Sequence, residues 1–163
     1  MAVDLAQVIP PLVHAKVDFT LIGGMAAILH GSARVTFDVD LVYSRTRGNM
    51  ERLAAALAPH DPYLRDASRN LPFTWDAKTI RRGLDFALTT KLGDIDLFGE
   101  VGSGETYQDL LPHSFDFEAF GVRFKCLDLP TLIRIKEVAD RPKDREAIAE
   151  LRVLLEEVEK KQA

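Results

Sequence analysis

Apolar positions along the chain fall into short blocks, broken by glycines, prolines and charged clusters. Residues 3 to 17 carry apolar side chains at helical spacing, and Pro10 and Pro11 are expected to end or kink that helix midway. Phe19-Thr20-Leu21-Ile22 is an apolar run that stops at Gly23-Gly24, the pattern of a buried strand entering a tight turn. Met25 to His30 reads as helix, with Met25, Ile28 and Leu29 on one side. From Asp38 the period changes to two. Val39, Leu41 and Tyr43 alternate with Asp38, Asp40 and Val42, which predicts a second strand. Met50 to Ala58 is an amphipathic helix stopped by Pro59.

Residues 60 to 80 are polar and irregular, and the pattern predicts loop with at most short elements. Leu84 to Thr90 and Ile95 to Val101 flank Lys91-Leu92-Gly93-Asp94 as a hairpin. Gly102 to Gly104 reads as a connector, followed by a short helix near Tyr107 to Leu111. Phe115 to Phe120 and Val122 to Leu127 form another strand pair about Gly121. Two helices close the chain, one from about Pro130 to Ala139 and one from about Lys143 to Glu159. Pro142 suits the first turn of the last one. This order predicts an α/β (α+β) fold, a mixed β-sheet covered by helices with two helices at the C-terminal end. At 163 residues, the length predicts one domain over residues 1–163.

Composition narrows the class. The chain is 47% hydrophobic and 28% charged, as expected for a folded globular protein. A net charge of −4 and a pI near 5.6 argue against a protein whose main task is wrapping a nucleic-acid backbone. Cys126 is the only cysteine, so no internal disulfide can form, and a reducing cytoplasm is the expected location. No apolar run is long enough for a membrane span, and residues Met1 to Asp4 do not begin a signal peptide.

The chemistry concentrates on acids. On a strand, Asp38 and Asp40 point to the same face, about 7 Å apart. Two carboxylates that close repel each other unless a cation sits between them, and carboxylate oxygens suit magnesium or manganese. Taken alone, an Asp-x-Asp pair also marks an ordinary solvated strand end. Gly23-Gly24 adds a second element, because a glycine turn before a helix lets the backbone approach a phosphate. It is neither a P-loop nor a dinucleotide fingerprint, since no Gly-Lys-Ser/Thr and no third glycine follow. A two-metal site asks for a third acid. Asp96, set between Ile95 and Leu97 inside an apolar strand, is the preferred candidate. Asp94, nearer the turn and explicable as a turn residue, is the fallback.

Two basic residues have two readings each. Lys136 shares a helix face with Leu132, Ile135 and Ala139, so it either snorkels to water or meets phosphate. Arg34 is either a surface loop residue or a contact to a triphosphate or acceptor. Lys143 and Asp144 read as cap and salt-bridge partners of the last helix. His14, His30, His60 and His113 show no metal-ligand spacing, Ser32 lacks a nearby base, and Trp75 reads as a loop anchor.

In combination, the stretch from Phe19 to Leu41 and the later Asp-Ile-Asp-Leu resemble the DNA polymerase beta-like nucleotidyltransferase superfamily. The shared pattern is a Gly-Gly turn, an Asp-x-Asp on the next strand and a third aspartate on a later one. Arg34-x-Thr36 before the pair, Lys136, and Arg141-Pro142-Lys143-Asp144 are similar to the small prokaryotic branch that includes the abortive-infection nucleotidyltransferase toxins. The resemblance spans roughly residues 5 to 155. It implies that Gly23, Gly24, Arg34, Thr36 and Lys136 bind a nucleoside triphosphate such as ATP. It further implies that Asp38, Asp40 and Asp96 hold Mg2+ (or Mn2+) as catalytic residues, with nucleotidyl transfer to RNA, protein or a small molecule and a toxin–antitoxin setting among the roles. A non-catalytic nucleotide-binding or protein-interaction module with the same fold is the alternative. The acceptor would be held by residues 60 to 82, by a second copy in a homodimer, or by a partner protein.

Overall fold

A computed structural model of the chain describes residues 3–162. Helix α1 (Leu5–His14) is capped by Asp4, whose carboxylate accepts from the Ala6 N–H at 3.0 Å. The helix runs through Pro10 and Pro11, so of the two expected outcomes, an end or a kink, it does not end there. The two carbonyls left without an i+4 donor belong to Ala6 and Gln7, and Gln7 is exposed to solvent. Val8, Ile9 and Leu12 are fully buried. Their burial, each worth roughly 1.5–3 kcal/mol, outweighs the cost of proline in the helix interior.

Seven strands form one mixed sheet: β1 (Phe19–Ile22), β2 (Asp38–Tyr43), β3 (Tyr63–Leu64), β4 (Phe86–Thr90), β5 (Gly93–Phe98), β6 (Ser114–Ala119) and β7 (Val122–Leu127). Their spatial order is β3-β4-β5-β2-β1-β7-β6. The β1–β2, β3–β4, β4–β5 and β6–β7 pairs are antiparallel, whereas β2–β5 and β1–β7 are parallel. The other helices are α2 (Gly23–Leu29), α3 (Arg47–Leu57), α4 (Ala77–Arg82), α5 (Tyr107–Leu110), α6 (Leu129–Ala139) and α7 (Pro142–Gln162). Helix α1 packs on α3 and β7, α2 packs on β1 and β2, and α6 packs on α7.

The expected period-two pattern holds where the core is deepest. Val39, Leu41, Ile95, Leu97 and Leu88 form the buried centre of the sheet, at 1% exposure or less. A second, smaller cluster joins Ala27 of α2 to Leu129, Ile133, Ile148 and Leu151 and so fastens α6 and α7 beside α2. Asn49, buried in α3, staples the ends of two central strands. Its amide donates to the carbonyls of Asp18 (3.0 Å) and Ser44 (2.8 Å) and accepts from the Asp18 N–H (2.6 Å).

Two boundaries shift relative to the pattern. The hairpin closes on Lys91-Leu92 alone, and Gly93, with φ of +109°, begins β5. Asp94 is therefore a strand residue and not a turn residue. The irregular stretch contains β3, an edge strand paired to β4 through Tyr63↔Thr89 and Leu64↔Leu88. Trp75 anchors the same stretch by donating Nε1–H to the Ala54 carbonyl at 3.1 Å. Among the described residues, no helix is long and apolar enough to cross a membrane.

Candidate functional site

Two parallel neighbours, β2 and β5, place four aspartates on one face. Their register pairs Asp38 with Asp94 and Asp40 with Asp96. Because side chains alternate across the sheet, the core residues Val39, Leu41, Ile95 and Leu97 take the other face. Carboxylate oxygens of Asp38, Asp40 and Asp96 lie within 4.8 Å of one another. The structure thus brings together the three acids preferred from the sequence. Asp94 stays outside the trio, and its carboxylate lies 3.4 Å from Arg65 Nε.

The acids crowd one another. Burial, followed by the negative charges of Asp38 and Asp96, pushes the Asp40 carboxyl up to about 8, against a partial offset from Lys136. Burial, a proton shared with Asp96 and the Asp96 charge raise Asp38 too, countered by a hydrogen bond from Thr36 and by the charge of Arg65. The Thr36 hydroxyl donates to Asp38 Oδ1 at 3.3 Å. Three hard oxygen donors at this spacing are a donor set that could hold a divalent metal ion.

The two glycines explain how these side chains come so near. They form the first turn of α2 rather than a separate turn ahead of it. Gly23 has φ of +68°, and a β-carbon there would overlap the Asp40 carboxylate. A β-carbon on Gly24 would lie 2.8 Å from Cβ and Oγ1 of Thr36. Gly23 thus makes room for Asp40, and Gly24 for Thr36.

A cleft of roughly 440 Å3 opens over the acids. It is lined by Gly24, Thr36, Asp38, Asp40 and Asp96 together with Arg34, Lys136, Arg141 and Lys143. Arg34 lies 3.6 Å from Glu146, and Arg141 is tied to buried Asp144 at 2.7 Å. Asp144 also accepts from the Arg141 N–H at 3.1 Å, so it fastens the start of α7 as its position in the sequence suggests. Lys136 is half-buried, and burial lowers its ammonium against the opposing pull of Asp144 and Asp40. A second cavity, of roughly 530 Å3, shares Asp40, Phe98, Lys136 and Arg141 with the first and adds apolar Leu132, Ile135 and Val138. Gly23 lines this second cavity and not the first.

One residue at the site is missed by sequence reasoning. Arg65, just past β3, places Nη2 2.8 Å from Asp96, Nε 3.4 Å from Asp94 and Nη1 3.9 Å from Asp38. It lies in a stretch whose pattern predicts loop with at most short elements. The signal that could have found it is electrostatic: four aspartates on two neighbouring strands need a nearby cation. Ser32, read as a plain turn residue, donates to Glu150 Oε1 of α7 at 2.5 Å and ties its loop to that helix.

No protein-family model matches the sequence, and no curated protein does. Among solved structures, the chain is similar to a candidate nucleotidyltransferase from Thermotoga maritima. The TM-score is 0.54 and the identity 16%, over 94% of this chain and 91% of that one. At that identity the likeness is one of architecture: the mixed seven-stranded sheet and its helices form a nucleotidyltransferase-like fold.

Proposed function

We propose that this protein transfers a nucleotidyl group from a nucleoside triphosphate to a hydroxyl acceptor, with Mg2+ (or Mn2+) held by Asp38, Asp40 and Asp96. The observation that carries this reading is the convergence of three carboxylates within 4.8 Å on adjoining parallel strands, beneath a cleft that also presents Lys136 and Arg34. A bound divalent ion there supplies neutralising charge for the phosphate oxygens and the reacting hydroxyl. The chain's own groups do the rest. Lys136, with no carboxylate within ion-pair distance among the described residues, directs its charge to phosphate oxygens, and Arg34 adds a second cation at the rim. Thr36 holds Asp38 in place, and Gly24 lets the backbone approach the triphosphate. Asp96 accepts the proton of the acceptor hydroxyl. The acceptor oxygen bonds to the α-phosphorus in line as the bond to the pyrophosphate leaving group breaks.

On this reading the motifs Arg34-x-Thr36 and Lys136 put the chain near the small prokaryotic branch with the abortive-infection toxins. ATP is the first donor to try, and cellular RNA and protein are the first acceptors. The test is transfer of label from each α-labelled nucleoside triphosphate, with magnesium, to cell RNA, protein and small-molecule fractions. Transfer that disappears in Asp38→Ala supports the proposal. Nucleotide binding with no transfer to any fraction overturns it in favour of a non-catalytic nucleotide-binding module.

A further inference from the structure

The aspartate cluster already contains a cation of its own. Arg65 reaches three of the four aspartates, and only Asp40 is out of its range. Its position is not incidental. The Arg65 N–H donates to the Ala87 carbonyl at 2.9 Å, and Nη2 donates to the Leu88 carbonyl at 2.8 Å, so both its backbone and its guanidinium are anchored to β4. Yet the guanidinium is not fully satisfied. Arg65 Nε and Asp96 Oδ1 are buried atoms with no hydrogen-bond partner, so the 2.8 Å approach to Asp96 is a charge contact without hydrogen-bond alignment. Buried polar atoms left unpaired are uncommon and call for a physical explanation, of which an ion or water between them is one.

We infer that Arg65 is a resident counter-cation of the cluster, a positioning residue that holds Asp96, Asp94 and Asp38 together before a divalent ion arrives and that opposes the ion's entry. The inference rests on the metal-site reading above. Guanidinium cannot lose its charge at any pH the fold survives. A fixed positive charge within about 4 Å of two of the three carboxylates repels a divalent ion placed among them, and the partly buried setting weakens screening of that repulsion. Asp38 and Asp40 then form the readily loaded half of the site, and Asp96 is the half that Arg65 shares. A merely orienting role, in which Arg65 turns one Asp96 oxygen toward the ion, predicts the opposite sign, because removing such a partner weakens metal binding by about 10–100-fold.

The experiment is a Mn2+ titration of the full chain without nucleotide, read by electron paramagnetic resonance, for the natural protein, Arg65→Gln and Arg65→Lys. Arg65→Gln is expected to bind Mn2+ about tenfold or more tightly, and Arg65→Lys, which keeps the charge, is expected to stay near the natural affinity. An unchanged or weaker affinity in Arg65→Gln overturns the inference while leaving the proposed function standing. Binding by neither the natural protein nor Arg65→Gln overturns both. Should Arg65→Gln fail to fold, the natural protein decides. Its Arg65 Nε–H resonance, assigned by comparison with Arg65→Lys, is expected to shift on adding Mg2+, and an unmoved resonance overturns the inference.

Discussion

Gly23 and Asp40 lie so close that a β-carbon on the glycine would overlap the aspartate's carboxylate. This contact ties the fold to the site, since the residue that starts α2 also sets where the half-buried Asp40 of β2 can sit. Gly23→Ala meets two penalties, a left-handed backbone at φ +68° and a displaced Asp40. The expected loss is about 1–3 kcal/mol of stability, with Mn2+ affinity falling further than that loss explains. Thermal melts with and without Mn2+ check both, and a variant that melts lower yet keeps its metal-induced shift would contradict the coupling.

Asp40 makes the metal-free protein sensitive to pH. Its carboxyl keeps a proton up to about 8 in the folded state, against 3.8 as the ordinary value. Between those values the folded chain binds more protons than the unfolded one, so this group's stabilising contribution is complete on the acid side and is lost as pH rises through about 8. Asp40→Asn should therefore flatten the fall in melting temperature between pH 5 and about 8, an interval inside that window. Metal binding requires the carboxylate, so uptake of Mn2+ should release a proton and tighten as pH rises toward the same value. Calorimetry in two buffers of different ionisation enthalpy measures that release.

At Lys136 the proposed phosphate contact and the stability of the fold should pull apart. Burial lowers its ammonium, and no carboxylate lies within ion-pair distance among the described residues. Replacing it with methionine removes a poorly compensated charge and keeps the stem that packs beside Leu132 and Ile135. Lys136→Met should melt at or above the natural temperature while binding ATP about tenfold or more weakly. A variant that loses both stability and binding would make Lys136 a structural residue.

The legible parts of the molecule are those whose pattern is their own. The alternation in β2 and the apolar run of β1 announce themselves, because both lie at the centre of the sheet and every side chain reports its face. The trio Asp38, Asp40 and Asp96 follows from that alternation once the parallel register of β2 and β5 is added. Asp94 misleads for a local reason. Gly93 takes a positive φ, β5 begins two residues early, and Asp94 is drawn into register opposite Asp38. Arg65 is illegible for a non-local one. The strand it follows is only two residues long and is held by the hydrogen bonds of β4, so no periodicity marks Arg65. The prolines of α1 show a third limit, where tertiary burial overrides a strong local breaker.

Asn49 is expected to be the most costly polar residue to remove outside the site. It is fully buried, and its amide satisfies two backbone carbonyls and one N–H where the chain enters β1 and leaves β2. Asn49→Ala leaves the buried Ser44 carbonyl and the Asp18 N–H without this partner, while the Asp18 carbonyl keeps the Ser44 N–H at 3.1 Å, and the loss costs about 1–3 kcal/mol. Denaturant unfolding should show the midpoint falling with little change in slope. Asn49→Asp keeps an acceptor for the Asp18 N–H but loses both donors, and should be no better.

Asp94 and Asp96 lie two residues apart on the same face of β5, and the proposed metal site gives them different parts. Asp96 belongs to the convergent trio and contributes to raising both Asp40 and Asp38. Asp94 touches only Arg65 among the site's charged groups. Asp96→Asn should reduce nucleotidyl transfer about a hundredfold or more and move the Asp40 carboxyl back toward the ordinary range. Asp94→Asn should leave the Asp40 titration in place and cost less than about tenfold, because it loosens Arg65 without removing an oxygen from the trio. Carbon-detected NMR titration of the aspartate carboxyls, run beside the transfer assay, reads both effects in the same proteins. An Asp94→Asn variant that abolishes transfer while Asp96→Asn retains it would exchange the two roles and place the third ligand one register step nearer the hairpin turn.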